Sequence, residues 1–201
     1  MSSNDIDRGP WEDIPRGLGL VLDEDRGSLP YALLHGEALV ACAAWALGDS
    51  GVDLVDATVG WDALVDADRD LVLHDALCPM TPAVFIAQCL DRARASGRPV
   101  VGVRPVTDTV KVVAHGRVGR TLDREALVAI TSPLVVPAAV VSTLARRPSS
   151  DLAAAVAELA AAGHPVETLA APAEGRRVST LDDVRLLGAL TAAPEQGGRP
   201  G

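Results

Sequence analysis

Aromatic residues make up only 2% of this chain, and its cysteines are limited to Cys42, Cys78 and Cys89. With so few rings, the core has to be built from Ala, Val and Leu, which suits helices packed on a buried parallel sheet. Three thiols without CxxC spacing indicate neither a disulfide framework nor a zinc knuckle, and favour reduced, mostly buried cysteines. The apolar share of 48% argues against disorder of the whole chain.

Basic residues do not cluster, and the net charge of −9 argues against a nucleic-acid partner, which would require a cationic face. The charge still allows a small phosphorylated ligand held by a few cations. No apolar run is long enough to span a bilayer, and residues 1–10 are too polar for a signal peptide. We therefore expect a soluble, cytoplasmic protein with no membrane partner.

One domain is expected at residues 17–190, between a flexible leader (1–16) and a disordered tail (191–201). Strand and helix patterns alternate within it, which predicts an α/β fold with a parallel sheet and right-handed crossovers. Strands are predicted at residues 19–22, 70–73, 100–103 and 166–169, and a hairpin at 111–121. Helices are predicted at residues 38–47, from a Thr81 cap to Gly97, from Ser150 to Gly163, and after a Thr180–Asp183 capping box.

Asp75 directly follows an apolar strand pattern, in Leu71-Val72-Leu73-His74-Asp75. Ligands of α/β sheets bind at the carboxyl ends of the strands. A carboxylate there is well placed to ligate Mg²⁺, which prefers oxygen ligands and bridges phosphates. The alternative is an aspartate that only caps the following turn, and the local pattern alone favours that alternative.

Several basic residues also invite a functional interpretation. Lys111 is the only lysine among 18 basic residues, and it is either a functional cation or a solvated charge at the base of the hairpin. Arg124 opens a short helix, either in an i,i+4 pair or presenting its guanidinium to a phosphate. Arg176 and Arg177 precede the last helix, where backbone N–H groups and a guanidinium can seat a phosphate.

Taken in order, short motifs in the C-terminal two-thirds of the chain resemble the methylerythritol-phosphate cytidylyltransferase family. These motifs are His74-Asp75-Ala76 with Pro79, Pro105-Val106 with Asp108-Thr109 and Lys111, Thr121 with Asp123-Arg124-Glu125, Thr131 with Pro133, and Arg177-Val178-Ser179 with Asp183. The resemblance implies a Rossmann-like nucleotidyltransferase sheet with helices on both faces and a protruding β-arm at about residues 109–122. It also implies a homodimer and CMP transfer from CTP to a sugar-alcohol phosphate, in isoprenoid precursor synthesis.

The resemblance implies a role for each matching residue. Asp75 would hold Mg²⁺ and would belong to the catalytic set together with the arm residues Thr109, Lys111 and Arg124. Thr109 and Arg124 would reach the substrate of the other subunit. The substrate-binding set would contain Thr131, Ser150, which stands where the family has a threonine, and Arg177, which stands where it has a lysine that contacts the substrate phosphate.

The loop after the first strand departs from the family pattern. The family has a glycine-rich loop with a basic residue and then a Pro-Lys pair; here the loop is Asp23-Glu24-Asp25-Arg26-Gly27-Ser28, and Tyr31 follows Pro30. Glycines let backbone N–H groups approach a triphosphate, whereas carboxylates repel it. Residues 48–70 are too short and acidic for the family's base-binding segment, and Cys78 replaces an arginine.

Two hypotheses follow. The first is an enzyme that uses Asp75, the arm residues and Mg²⁺ on a phosphorylated substrate: a divergent cytidylyltransferase that takes CTP, or a relative that takes another nucleotide. The second is a non-catalytic relative that pairs through the arm with itself or with a full-length relative and regulates it. The loop chemistry favours the second.

Overall fold

A six-stranded sheet with helices on both faces organises the chain. The structure is a computed structural model that describes residues 16–107 and 109–192. The predicted leader up to residue 15, the predicted tail from residue 193, and Asp108 lie outside the described residues. The predicted α/β class and Rossmann-like layering are confirmed.

The strands are numbered along the chain. They are β1 (Leu18–Leu22), β2 (Leu33–Leu34), β3 (Glu37–Ala38), β4 (Asp53–Leu54), β5 (Leu71–Asp75), β6 (Val100–Pro105), β7 (Lys111–Ala114), β8 (Arg117–Thr121), β9 (Val128–Val136) and β10 (Glu167–Ala170). The main sheet has the order β10-β6-β9-β5-β1-β4, and β2-β3 and β7-β8 form separate two-stranded sheets.

The helices lie between the strands in sequence. They are α1 (Leu39–Asp49), α2 (Trp61–Asp66), α3 (Ala83–Ser96), α4 (Ala138–Val141), α5 (Leu152–Ala161) and α6 (Leu181–Thr191). Short 3₁₀ turns occupy Leu29–Tyr31, Arg124–Ala126 and Ala173–Gly175. Of the helices in the described part of the chain, none has the length and apolarity that crossing a bilayer requires.

Strand β9 is antiparallel to both of its neighbours, β5 and β6, in the middle of the sheet. The other three pairs of the main sheet are parallel, as the alternating pattern predicts. The sequence pattern did not predict β9. Its pairing with β6 shifts register at Gly102, where a Cβ would lie 2.6 Å from the Ser132 carbonyl oxygen, so only glycine allows this close approach.

Both faces of the sheet are buried, which explains the near-continuous apolar runs in its strands. Side chains alternate between the faces along a strand. Leu71 and Leu73 of β5 pack in one apolar cluster with residues of α2, α4 and α5, while Val72 packs in a second cluster with residues of α1 and α3. The sheet is thus the middle layer of three.

Two predicted helix boundaries are confirmed, and two are shifted. Gly97 ends α3 with a left-handed φ of 66°, and Thr180 begins α6 in a full capping box. Thr81 does not cap α3, because its hydroxyl donates to the Cys78 carbonyl and Pro82 is the N-cap. The N-cap of α5 is Asp151, one residue after the predicted start at Ser150. Its carboxylate accepts from the Ala154 N–H, which lowers the pKa of Asp151.

The predicted hairpin is confirmed as the β7-β8 pair, which we call the arm. Its turn residues, His115 and Gly116, have φ values of 51° and 73°, as a two-residue hairpin turn requires. Within the described residues the arm strands pair only with each other, and most of their side chains are exposed.

Candidate functional site

The carboxyl ends of β1 and β5 lie side by side. These strands pair in parallel from Leu18↔Leu71 to Leu22↔Asp75, so the loop that follows Leu22 leaves the sheet next to Asp75. We call residues 23–28 the acidic loop, because it contains Asp23, Glu24 and Asp25. The prediction that Asp75 lies at a strand's carboxyl end is confirmed.

Two arginines hold the Asp75 carboxylate. Oδ1 accepts from Arg26 Nε at 3.0 Å and from the Leu77 N–H at 3.0 Å, and Oδ2 accepts from Arg177 Nε at 2.8 Å. The exposed fractions of the side chains are 4% for Asp75, 8% for Arg26 and 40% for Arg177. A buried carboxylate therefore has charged partners on both oxygens, and one of those partners is itself almost fully buried.

The remaining donors of Arg26 fasten the acidic loop to the chain before α5. Its Nη1 donates to the Glu24 carbonyl at 3.0 Å, and its Nη2 donates to the Ser150 carbonyl at 2.7 Å. The Glu24 carboxylate accepts from Arg147 Nη2 at 3.1 and 3.0 Å. The loop is thus closed over Asp75 by contacts to residues 147 and 150.

Two buried hydroxyl groups of β9 lie close to Asp75. The Asp75 N–H donates to Ser132 Oγ at 2.7 Å. The hydroxyl of Thr131, a predicted substrate-binding residue, is buried and donates to the Gly175 carbonyl. Cys78 Sγ lies 3.3 Å from the same hydroxyl, and burial raises the pKa of the Cys78 thiol. The hydroxyls of Thr131 and Ser132 and the Cys78 thiol therefore stabilise the site more than they are available to a ligand.

His74, the residue before Asp75, is fully buried. Among the described residues, no hydrogen-bond partner contacts either ring nitrogen. Burial lowers the pKa of His74 to about 4, because an imidazolium in this apolar setting would be poorly solvated, although the nearby Asp75 charge acts in the opposite direction. The ring is therefore neutral near pH 7.

Two adjoining hollows open around these residues. The Asp75 cavity, of about 340 Å³, is lined by Arg26, Asp75, Asp151 and Arg177 together with apolar side chains. The arginine groove, of about 500 Å³, is lined by Arg104, Arg176 and Arg177 with Thr107 and Thr131, and its described lining residues include no acid. The first hollow has balanced charge, whereas the second is cationic.

The Asp75 cavity does not present a ready Mg²⁺ site. Mg²⁺ needs near-octahedral oxygen ligation, but both Asp75 oxygens accept hydrogen bonds from guanidinium groups. The described residues contain no group of three or more His, Cys, Asp or Glu side chains arranged to hold a metal. Metal binding at Asp75 stays a prediction.

The structure brings some of the predicted site residues together. Asp75, Thr131 and Arg177 line one cavity. The Ser150 carbonyl accepts a hydrogen bond from Arg26, which lines the same cavity. The predicted arm residues are exposed and line neither hollow, and Arg124 Nη1 donates to the Thr107 carbonyl at 2.9 Å. These arm residues are Thr109, Lys111 and Arg124. Their role toward a second subunit stays a prediction.

The sequence did not indicate that Arg26 and Arg104 line these hollows. Arg26 is the only cation in the acidic loop, and it precedes Gly27, whose φ of 60° turns the chain. A lone cation inside an acidic run is a usable signal for an internal ion pair. Arg104 lies near the end of β6, and that strand-end position is the comparable signal.

A family model described as 2-C-methyl-D-erythritol 4-phosphate cytidylyltransferase matches residues 29–190. The match begins after β1 and the acidic loop. The chain is 38% identical over 130 residues to the enzyme of that name from Nocardia farcinica, covering 63% of this chain and 55% of the relative. It is 32% identical over 143 residues to the one from Bordetella parapertussis, covering 70% of this chain and 62% of the relative.

A further relative is a bifunctional enzyme, IspD/IspF, from Solidesulfovibrio magneticus, with 32% identity over 141 residues, 67% of this chain and 34% of the relative. The chain thus spans less than two-thirds of the length of these curated relatives.

Solved structures agree on the fold. The 2-C-methyl-D-erythritol 4-phosphate cytidylyltransferase from Thermus thermophilus superposes with a TM-score of 0.65 at 19% identity, covering 87% of this chain and 97% of that one. The Francisella tularensis enzyme of the same name gives a TM-score of 0.65 at 14% identity, covering 86% and 98%. With the family model matching most of its length, this chain belongs to the 2-C-methyl-D-erythritol 4-phosphate cytidylyltransferase family.

Proposed function

We propose that this chain is a non-transferring member of its family, which binds a small phosphorylated ligand in the arginine groove and acts as a partner protein. The observation that carries the proposal is the position of Arg26. Its side chain is 8% exposed, and its guanidinium donates to Asp75, Glu24 and Ser150. The one cation of the acidic loop is therefore directed inward and does not face a nucleotide.

The acidic loop offers little to a triphosphate. Its carboxylates would meet the phosphates with like charge, and it has no glycine-rich run of backbone N–H groups. Losing one preorganised donor to a transition-state charge typically costs about 10²- to 10³-fold in rate. These features together support a chain that does not transfer CMP.

The arginine groove supports a ligand of a different kind. Three guanidinium groups and the Thr107 position line it, and guanidinium forks match phosphate oxygens well. The family name makes a phosphorylated sugar alcohol, 2-C-methyl-D-erythritol 4-phosphate, the first ligand to test. Arg177 belongs to both hollows, so ligand binding and the Asp75 ion pair share this residue.

In calorimetry with EDTA present, the sugar phosphate is expected to bind. In separate experiments with CTP and Mg²⁺, calorimetry is expected to show no heat of binding, and an assay for pyrophosphate is expected to show no release. Because a charge-assisted contact contributes about 1.5–3 kcal/mol, Arg176→Met is expected to weaken the sugar phosphate roughly 10- to 100-fold. Arg92→Met is the matched control, since Arg92 is exposed and pairs with Glu167.

The second candidate function is CMP transfer itself. The family match and the strand-end position of Asp75 favour it. In that case the wild-type chain would release pyrophosphate from CTP and the sugar phosphate, and Asp75→Ala would stop the release. This result would contradict the proposal.

The arm is the proposed means of partnering. Val113 and Val118 are paired across the hairpin, and these residues are 66% and 68% exposed. An exposed apolar pair on a two-stranded ribbon is a natural contact for a second subunit. We propose a homodimer through the arm, or a heterodimer with a full-length relative.

Replacing both Val113 and Val118 with serine is expected to convert a dimer into a monomer, because it removes the apolar contact. Light scattering coupled to size exclusion measures the mass. The matched control is Val84→Ser, since Val84 is similarly exposed but lies on α3. A wild-type chain that is monomeric alone and when mixed with a full-length relative would contradict the partnering proposal.

A further inference from the structure

We infer that Arg26 replaces a divalent cation at Asp75, so that the chain neutralises this carboxylate with its own side chain. The inference rests on the proposed function, because it explains why a family site without transfer keeps its aspartate. It assigns to Arg26 a positioning role: the guanidinium holds Asp75, and through Asp75 it holds Arg177.

The hydrogen bonds of Asp75 are the first observation that supports the inference. Arg26 Nε lies 3.0 Å from Oδ1, and the Leu77 N–H lies 3.0 Å from the same oxygen. Arg177 Nε lies 2.8 Å from Oδ2. A divalent ion bonded to either oxygen would stand next to a guanidinium of like charge, in a buried setting where such repulsion is strong. The cation and Arg26 therefore compete for one place.

The burial of the two arginines distinguishes their roles. Arg26 is 8% exposed, and its other donors are engaged with the Glu24 and Ser150 carbonyls. Arg177 is 40% exposed and also lines the arginine groove. Arg26 is thus the fixed cation, and Arg177 is the one that a ligand in the groove can recruit.

The acidic loop explains how Arg26 reaches this place. Gly27 adopts a φ of 60°, which favours glycine, and Arg147 holds the Glu24 carboxylate from outside. The loop therefore folds over the carboxyl ends of β1 and β5. Arg26 points to Asp75, and Glu24 is paired with Arg147 at the surface.

Titration with Mn²⁺, followed by the loss of its free electron paramagnetic resonance signal, tests the inference. Wild type is expected to bind no Mn²⁺ at Asp75. Arg26→Met is expected to bind Mn²⁺ at Asp75 with an affinity at least about tenfold above the detection limit that wild type does not reach, because the competing cation is gone. The double variant Arg26→Met/Asp75→Asn is expected to lose that site again.

Arg147→Met is the matched control, since Arg147 fastens the same loop without contacting Asp75, and it is expected to behave as wild type. If Arg26→Met fails to fold, Arg26→Gln, which keeps an amide donor without charge, is measured in its place. Wild type binding Mn²⁺ as tightly as the Arg26 variant, in a manner that Asp75→Asn removes, would overturn the inference, and so would a folded Arg26 variant that gains no site.

The two proposals fail in different ways. Pyrophosphate release by wild type in EDTA would overturn the proposed function and leave the replacement of the metal by Arg26 standing. Mn²⁺ bound by wild type at Asp75, without turnover, would overturn the replacement of the metal by Arg26 and leave the proposed function standing.

Discussion

Asp75→Asn is expected to lower the free energy of unfolding by about 3–5 kcal/mol, because it leaves the Arg26 guanidinium buried without a counter-ion. The Arg26 side chain is only 8% exposed, so water solvates it less well than the lost carboxylate did. For a chain of this size the loss corresponds to a fall in Tm of roughly 10 °C. Urea denaturation followed by circular dichroism measures the change. Arg177→Met is expected to cost less, since that side chain is 40% exposed.

The contrast between single and double variants makes this prediction specific. An apolar replacement of a whole buried ion pair is often close to neutral, whereas removing one partner is not. Arg26→Met/Asp75→Leu is therefore expected to be more stable than Asp75→Asn. The matched control is Asp182→Asn, which breaks an exposed pair with Arg185 and is expected to change little. If Asp75→Asn costs no more than this control, the buried pair does not stabilise the fold.

His74 is expected to make the fold acid-sensitive by about 3 kcal/mol. Its folded-state pKa is lowered from 6.5 to about 4, so between these values the unfolded chain binds a proton that the folded chain does not. The contribution is fully present above pH 6.5 and is lost as the pH falls toward 4. Urea denaturation at a series of pH values measures this slope.

His74→Leu isolates the effect from the carboxylates that titrate in the same range. The variant has no proton to bind and no unpaired ring nitrogen, so it is expected to flatten the slope and to gain stability at neutral pH. His115→Asn is the matched control, since His115 is exposed and asparagine tolerates its positive φ. An equal slope in wild type and His74→Leu would rule out His74 as the source.

Features that depend on neighbouring residues could be predicted from the sequence. The Thr180–Asp183 capping box, the end of α3 at Gly97 and the arm turn at His115-Gly116 all follow from residues within one turn. Strand β9 could not be predicted in this way. Its middle residues, Thr131-Ser132-Pro133, resemble a turn, and only pairing with strands on both sides makes them part of a sheet.

The candidate site depends on contacts between distant parts of the chain. Arg26 lies 49 positions from Asp75, and Arg177 lies 102 positions from it, so no local pattern could pair them. The sequence indicated Asp75 and Arg177 separately, and it indicated an acidic loop. It could not indicate that the loop's single arginine turns inward, because that outcome depends on β1 and β5 ending side by side.

The position of β9 has a consequence for the order in which the fold forms during synthesis. Until residue 136 has left the ribosome, β5 and β6 each have an unpaired edge facing the other, because the strand that joins them comes later in the chain. Unpaired edges of apolar strands are prone to association with other chains. The nascent chain is therefore vulnerable to aggregation while residues 106–136, which include the arm and β9, are being made.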